Sequence, residues 1–130
     1  MPMTESPVND ITRAVIDAAM TVHSLLGPGL LESAYVDCLA EELRYRGFLV
    51  ETQVPVPIQY RGKIIQTAYR IDLLVERAVV AECKAVQKLT PVFEAQLLSH
   101  LRLGRYKAGL LINFHALHLR DGIKRMVNNL

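Results

Sequence analysis

Two full charges stand inside Ala78–Val86, AVVAECKAV, a stretch otherwise apolar enough for a buried strand. Glu82 and Lys84 are two residues apart, so both side chains leave such a strand on the same face. An ionised group taken out of water costs several kcal/mol unless it is paired or coordinates a metal, so these two need compensation. The spacing alone carries little weight, since eight Glu and five Lys in 130 residues give about 0.3 expected Glu-x-Lys matches. A solvent-exposed same-face ion pair accounts for it equally well.

The preceding segment, YRIDLLVE, holds a second carboxylate, Asp72, in another apolar run. Its position relative to Glu82 depends on the connection between the two strands. A two-residue turn at Glu76-Arg77 pairs Asp72 with Ala81 and sends the two acids to opposite faces. A three-residue loop or a single bulge sets Asp72 directly opposite Glu82. In that second register two carboxylates and a backbone carbonyl offer hard oxygen ligands suited to Mg²⁺ or Mn²⁺. A third acid, Glu32, opens a helix just after Gly27-Pro28-Gly29 and shares a helical face with Tyr35. The macrodipole alone favours an acid there, and Tyr35 fits equally well as core.

The elements that must position these groups read as follows. Asn9 or Asp10 caps a first helix with apolar residues from Ile11 to Leu26 at helical spacing, ended by Gly27-Pro28-Gly29. A second helix covers about Leu30 to Arg46 and stops at Gly47. From Phe48 the composition turns β-rich, with strands to Tyr60, from Ile64 to Val75 and from Ala78 to Val86, connected tightly enough for an antiparallel meander. Pro55 and Pro57 lack amide donors, which pushes the first strand to a sheet edge. Thr90-Pro91 opens a helix to Leu103, and Lys107–Phe114, KAGLLINF, reads as a strand buried on both faces. Residues 117–130 show no clear pattern. This order predicts one α/β domain over residues 1–130, a mixed sheet flanked by helices, with residues 1–8 as a flexible tail.

Composition narrows the function classes. Cys38 and Cys83 are the only cysteines, without a CxxC or a paired His spacing, so neither a disulfide framework nor a structural zinc site fits and a reducing, cytoplasmic setting is expected. MPMTESPVND lacks the basic-then-apolar pattern of a signal peptide, and no stretch has the length of a membrane span. The net charge of +2 hides an asymmetry, with −3 over residues 1–94 and +5 over residues 95–130. A basic C-terminal part of this kind serves as a phosphate-facing surface or as a plain solvated face.

Taken together, Gly29-x-x-Glu32-x-x-Tyr35 in GLLESAY, YRIDLLVE, VVAECKAV, AQLLSHLRLG and AGLLINF resemble, in order, the GxxExxY family of the PD-(D/E)XK nuclease superfamily. The resemblance implies a restriction-endonuclease-like αβββαβ core. It implies that Asp72 and Glu82 bind metal, with the Cys83 main-chain carbonyl, and that Lys84 is the catalytic lysine. Glu32 matches a first-helix glutamate that orients or helps to bind a metal, and Gln96 a glutamine that supports the lysine or reaches toward nucleic acid. His100 stands where the family has Tyr, on the same helical face as Gln96, where it either contacts phosphate or fills the edge of the site, and Ile71 replaces the superfamily's proline. The implied reaction is Mg²⁺- or Mn²⁺-dependent hydrolysis of phosphodiesters in DNA. Tyr35, His100, Arg102, Arg105, Lys107, Lys124 and Arg125 are the candidate nucleic-acid contacts. A chain this short has no separate recognition module, so a second copy or another protein is expected to complete the grip. The competing expectation is a nuclease-fold module that binds nucleic acid or a protein partner with little or no hydrolysis.

Overall fold

The computed structural model describes residues 5–128. Helix α1 (Glu5–Leu26) starts earlier than the Asn9/Asp10 cap predicted for it. Residues 5–8, expected as tail, form its first turn, and residues 1–4 lie outside the described residues. Val15, Ala18, Ala19 and Val22 repeat at helical spacing and are buried. The helix ends where the Gly27 amide donates to the His23 carbonyl at 2.8 Å with Gly27 at φ 69°. Helix α2 (Glu32–Tyr45) packs beside α1 and buries Tyr35, Val36, Leu39, Ala40 and Leu43. Arg46, just past its end, ties the pair together by reaching Glu42 at 2.7 Å and the Thr21 hydroxyl at 2.9 Å.

Five strands follow: β1 (Val50–Tyr60), β2 (Lys63–Val75), β3 (Val79–Lys84), β4 (Ala108–Asn113) and β5 (Ile123–Val127). They lie side by side in chain order. The β1-β2-β3 meander is antiparallel, β3 and β4 run parallel through helix α3 (Pro91–Gly104), and β5 returns antiparallel. The sheet is thus mixed and flanked by helices, as predicted, with proline-bearing β1 on one edge. The patternless C-terminal stretch becomes a 3-10 turn (Leu119–Gly122) followed by the edge strand β5. Only pairing with β4 organises it, which explains the weak local signal.

The two faces of the sheet bury separate cores. Helices α1 and α2 cover Leu73, Val75, Ala81, Cys83, Leu110 and Ile112. Helix α3 covers Leu74, Val80 and Leu111 with Leu97 and Leu101. Gly109 permits the close seating of α3, since a Cβ there would lie 3.0 Å from Leu97 Cδ1 and 3.1 Å from Leu101 Cδ2.

Candidate active site

The connection between β2 and β3 is the odd one. Val75 pairs with Val79, Leu74 with Val80 and Leu73 with Ala81, leaving Glu76, Arg77 and Ala78 as a three-residue loop. Glu76 and Arg77 both adopt φ 53°, and the Ala78 amide donates to the Val75 carbonyl at 3.0 Å. One more step along this register puts Asp72 opposite Glu82. The ladder itself stops there: the Asp72 carboxylate takes the place of a backbone partner and accepts the Cys83 amide at 2.9 Å.

The register sets Asp72 beside Glu82, and burial together with the neighbouring Glu82 charge pushes the Asp72 carboxyl up to about 7. The Cys83 amide and the Lys84 ammonium pull weakly the other way. Two carboxylates on neighbouring strands in a buried site favour a shared proton or a cation. The Lys84 carbonyl accepts from Phe114 on the β4 side at 2.8 Å. Strand alternation therefore turns the Cys83 carbonyl toward Asp72. The donors are all oxygen, which fits a hard divalent ion. The Cys83 thiol is fully buried on the opposite face, and burial with the nearby acids raises it well above its usual range, so it is no nucleophile.

Glu82 is only 5% exposed, and His100 on α3 meets it with Nδ1 2.8 Å from Oε1. Of the two expectations for His100, phosphate contact or filling the edge of the site, its burial and this contact fit the second, with the added role of partner to the carboxylate. The Tyr69 ring lies over the His100 ring at 5.2 Å. The Lys84 ammonium sits 5.1 Å from the centroid of the Phe93 ring, a cation–π contact that restrains it. Glu82, Lys84, Phe93, Gln96 and His100 line one small cleft.

Glu32 arrives from the other helical layer. Its Oε2 accepts the Ala85 amide at 3.3 Å, just beyond β3. Tyr35 explains how it gets there. The Tyr35 hydroxyl donates to the Gly27 carbonyl at 2.6 Å and accepts the Leu30 amide at 3.1 Å, fixing the turn that leads into Glu32. Fully buried and stacked on Phe114 at 4.5 Å, Tyr35 is removed from any nucleic-acid contact. Glu32 does not close a three-acid cluster with Asp72 and Glu82: among the described residues no three His, Cys, Asp or Glu side chains converge to hold an ion.

The basic residues predicted to meet phosphate do not form one surface. Lys124 lies on the α3 face but pairs with Glu94 at 3.6 Å, and Arg125 bonds Asn9 on α1. Arg105 and Lys107 adjoin the β2–β3 loop at the end of the sheet away from Glu82 and Lys84. Arg102 is exposed, two residues past His100 and so on another side of α3. Asn113 was missed. Buried at the end of β4, opposite Lys84, it accepts the Val86 and His115 amides at 3.1 and 3.2 Å and donates to the Val86 carbonyl at 2.9 Å. It clamps the chain leaving the lysine. Its only signal in the sequence is that it is the one polar side chain in AGLLINF.

No curated protein and no solved structure matches the chain. A family model does, over residues 9–126, which span the meander, the acid pair, the lysine and α3. The chain belongs to the PD-(D/E)XK nuclease superfamily.

Proposed function

We propose that this chain hydrolyses phosphodiester bonds in DNA at a divalent-metal site held by Asp72, Glu82 and the Cys83 carbonyl, with Mg²⁺ or Mn²⁺ as the ion. The observation that carries the reading is the three-residue β2–β3 loop, which sets the two carboxylates against each other and leaves Lys84 on the Glu82 face. A bound divalent ion supplies Lewis acidity, lowering the pKa of a water and neutralising charge on the phosphate. The residues do the rest. His100 holds one Glu82 oxygen and so fixes the carboxylate beside Asp72. Lys84, restrained over Phe93, places a positive charge where the attacking water and the pentavalent transition state need it. Gln96 offers an amide to a phosphate oxygen at the mouth of the cleft. Glu32 steadies the end of β3 through the Ala85 amide. The GLLESAY motif supports placement in the GxxExxY branch, acting in the cytoplasm, with a second copy or a protein partner completing the DNA grip.

One observation favours a second reading, a nuclease-fold module that binds without cutting: His100 already occupies a Glu82 oxygen and Glu32 is turned to Ala85, so three acids do not meet. Cleavage of plasmid and single-stranded DNA with Mg²⁺ or Mn²⁺ separates the two. The nuclease reading expects activity that chelation abolishes and that Glu82→Ala and Lys84→Ala lower by at least roughly 10²-fold. Binding without cleavage by the wild-type chain supports the second reading, and cleavage that persists in both variants overturns the site.

A further inference from the structure

The β1–β2 ribbon outruns its sheet. Its strands pair out to Tyr60 and Lys63, whereas β3 pairs only with Leu73–Val75. The stretch beyond Ile71 carries the ribbon about 25–30 Å past the last β3 partner. The segment 52–71 contains no acidic residue and holds Arg61, Lys63 and Arg70. Residues directly opposite in an antiparallel ladder share a face. A bulge in β2 shifts the register between Val56 and Ile58, but alternation along β1 is kept, so the pairs Val56–Tyr69, Ile58–Ile65 and Tyr60–Lys63 line one surface of the ribbon. That surface begins under α3, where Val56 is 2% exposed, and runs outward past Tyr69 at 44% and Ile65 at 38% to Tyr60 at 63%. Its inner end is the candidate site itself, since the Tyr69 ring lies over His100, the partner of Glu82.

We propose that this ribbon face is a binding track for a single nucleic-acid strand leading to Glu82. Tyr60 and Tyr69 are exposed, uncharged rings on which bases stack, and Ile65 between them continues the apolar floor. Stacking needs bare base faces, which a single strand offers and a duplex keeps covered. Arg61 and Lys63 at the tip meet the backbone phosphates, and the absence of acids along the segment leaves nothing to repel them. The basic residues of the C-terminal part supply no such track, being dispersed over both faces and the far end of the sheet.

The direction of the strand toward Glu82 rests on the nuclease reading; its binding does not, and the two are tested apart. Fluorescence anisotropy of a labelled oligo-dT strand and a duplex of equal length is measured in EDTA, so that no cutting occurs. The wild-type chain is expected to prefer the single strand. Tyr60→Ser with Tyr69→Ser should lower that affinity roughly tenfold or more. Arg61→Ala with Lys63→Ala should reduce the log–log salt slope by about 1.4. Thermal melts establish that the variants are folded; Tyr60→Ser alone, at the tip, should show a weaker loss with no change in melting. Unchanged binding in folded variants, or equal affinity for the duplex, overturns the track. So does a wild-type dimer, by light scattering, that the tyrosine substitutions dissociate, which would assign the face to a second copy. Ribbon-dependent binding without metal-dependent cutting keeps the track and removes the nuclease reading. Cutting with ribbon-independent binding does the reverse.

Discussion

On the face of the sheet covered by α1 and α2, strand β3 contributes Ala81 and Cys83; on the face covered by α3 the same strand contributes Glu82 and Lys84. The first face is sealed, with Leu73, Leu110, Ile112 and Phe114 fully buried around β3. The second holds an apolar core at Val80, Leu97 and Leu111, then gives way within two residues to a carboxylate pair, a histidine and an ammonium group. One face can afford the charges because the other supplies continuous apolar burial, each large buried side chain contributing about 1.5–3 kcal/mol. A strand with both faces like that of Glu82 would lack the burial to hold the acids together.

Substitutions on the two faces should therefore have opposite signatures. The largest effect is expected from Glu82→Gln, which keeps the His100 contact and removes the charge: hydrolysis should fall by roughly 10³-fold with little change in unfolding. Leu110→Ala on the sealed face should do the converse, costing about 2–5 kcal/mol in urea unfolding while the remaining folded protein cleaves at near the wild-type rate. A Glu82→Gln chain that unfolds as readily as Leu110→Ala would break the division between the faces.

Asp72 sharpens the comparison through pH. Its carboxyl is pushed up to about 7 from an ordinary 3.8, so between these values the folded chain holds a proton that the unfolded chain has released. Its contribution to stability accordingly falls as pH rises from about 4 to 7 and stays low above that. Asp72→Asn should be more stable than the wild type at pH 8, by on the order of 1–2 kcal/mol once solvent screening is allowed for, with the gap closing near pH 4. Thermal melts across that range check it. A Mn²⁺ titration should show affinity weakening toward tenfold per pH unit below about 7, because the ion must displace that proton. A pH-independent affinity would separate Asp72 from the metal.

The smallest effect is expected at Tyr35→Phe. It leaves the Gly27 carbonyl and the Leu30 amide without their partner and should cost about 1 kcal/mol in chemical denaturation. Because that turn also delivers Glu32, cleavage should drop a few-fold beyond what the stability loss accounts for. Wild-type cleavage in this variant would leave Tyr35 a packing residue only.

Much of the framework was legible along the chain. Apolar spacing marked α1 and α2, Thr90-Pro91 opened α3, and Pro55 with Pro57 placed β1 at the edge, because each depends on local geometry or on a missing donor. Charged residues inside apolar strands marked Asp72, Glu82 and Lys84. The basic residues misled, because their clustering between 95 and 130 is a property of the chain, whereas β4, β5 and α3 carry them to different surfaces. The partner of His100 and the role of Asn113 are hidden for a related reason: each acts on a residue 18 or 27 positions away, and no local pattern records such a meeting.

The sequence by itself determined the αα-βββ-α-β order, the apolar stripes and the residue types able to hold an oxygen-liganded ion, since these follow from periodicity and side-chain chemistry. Tertiary structure alone decided whether the acids meet. A two-residue or a three-residue turn was equally open from Asp72 to Glu82. Two residues at φ 53°, the Ala78 amide on Val75 and packing against β4 select the register that puts both acids on one site. One residue of register separates an acid pair from two unrelated charges, because a strand sends neighbouring side chains to opposite faces.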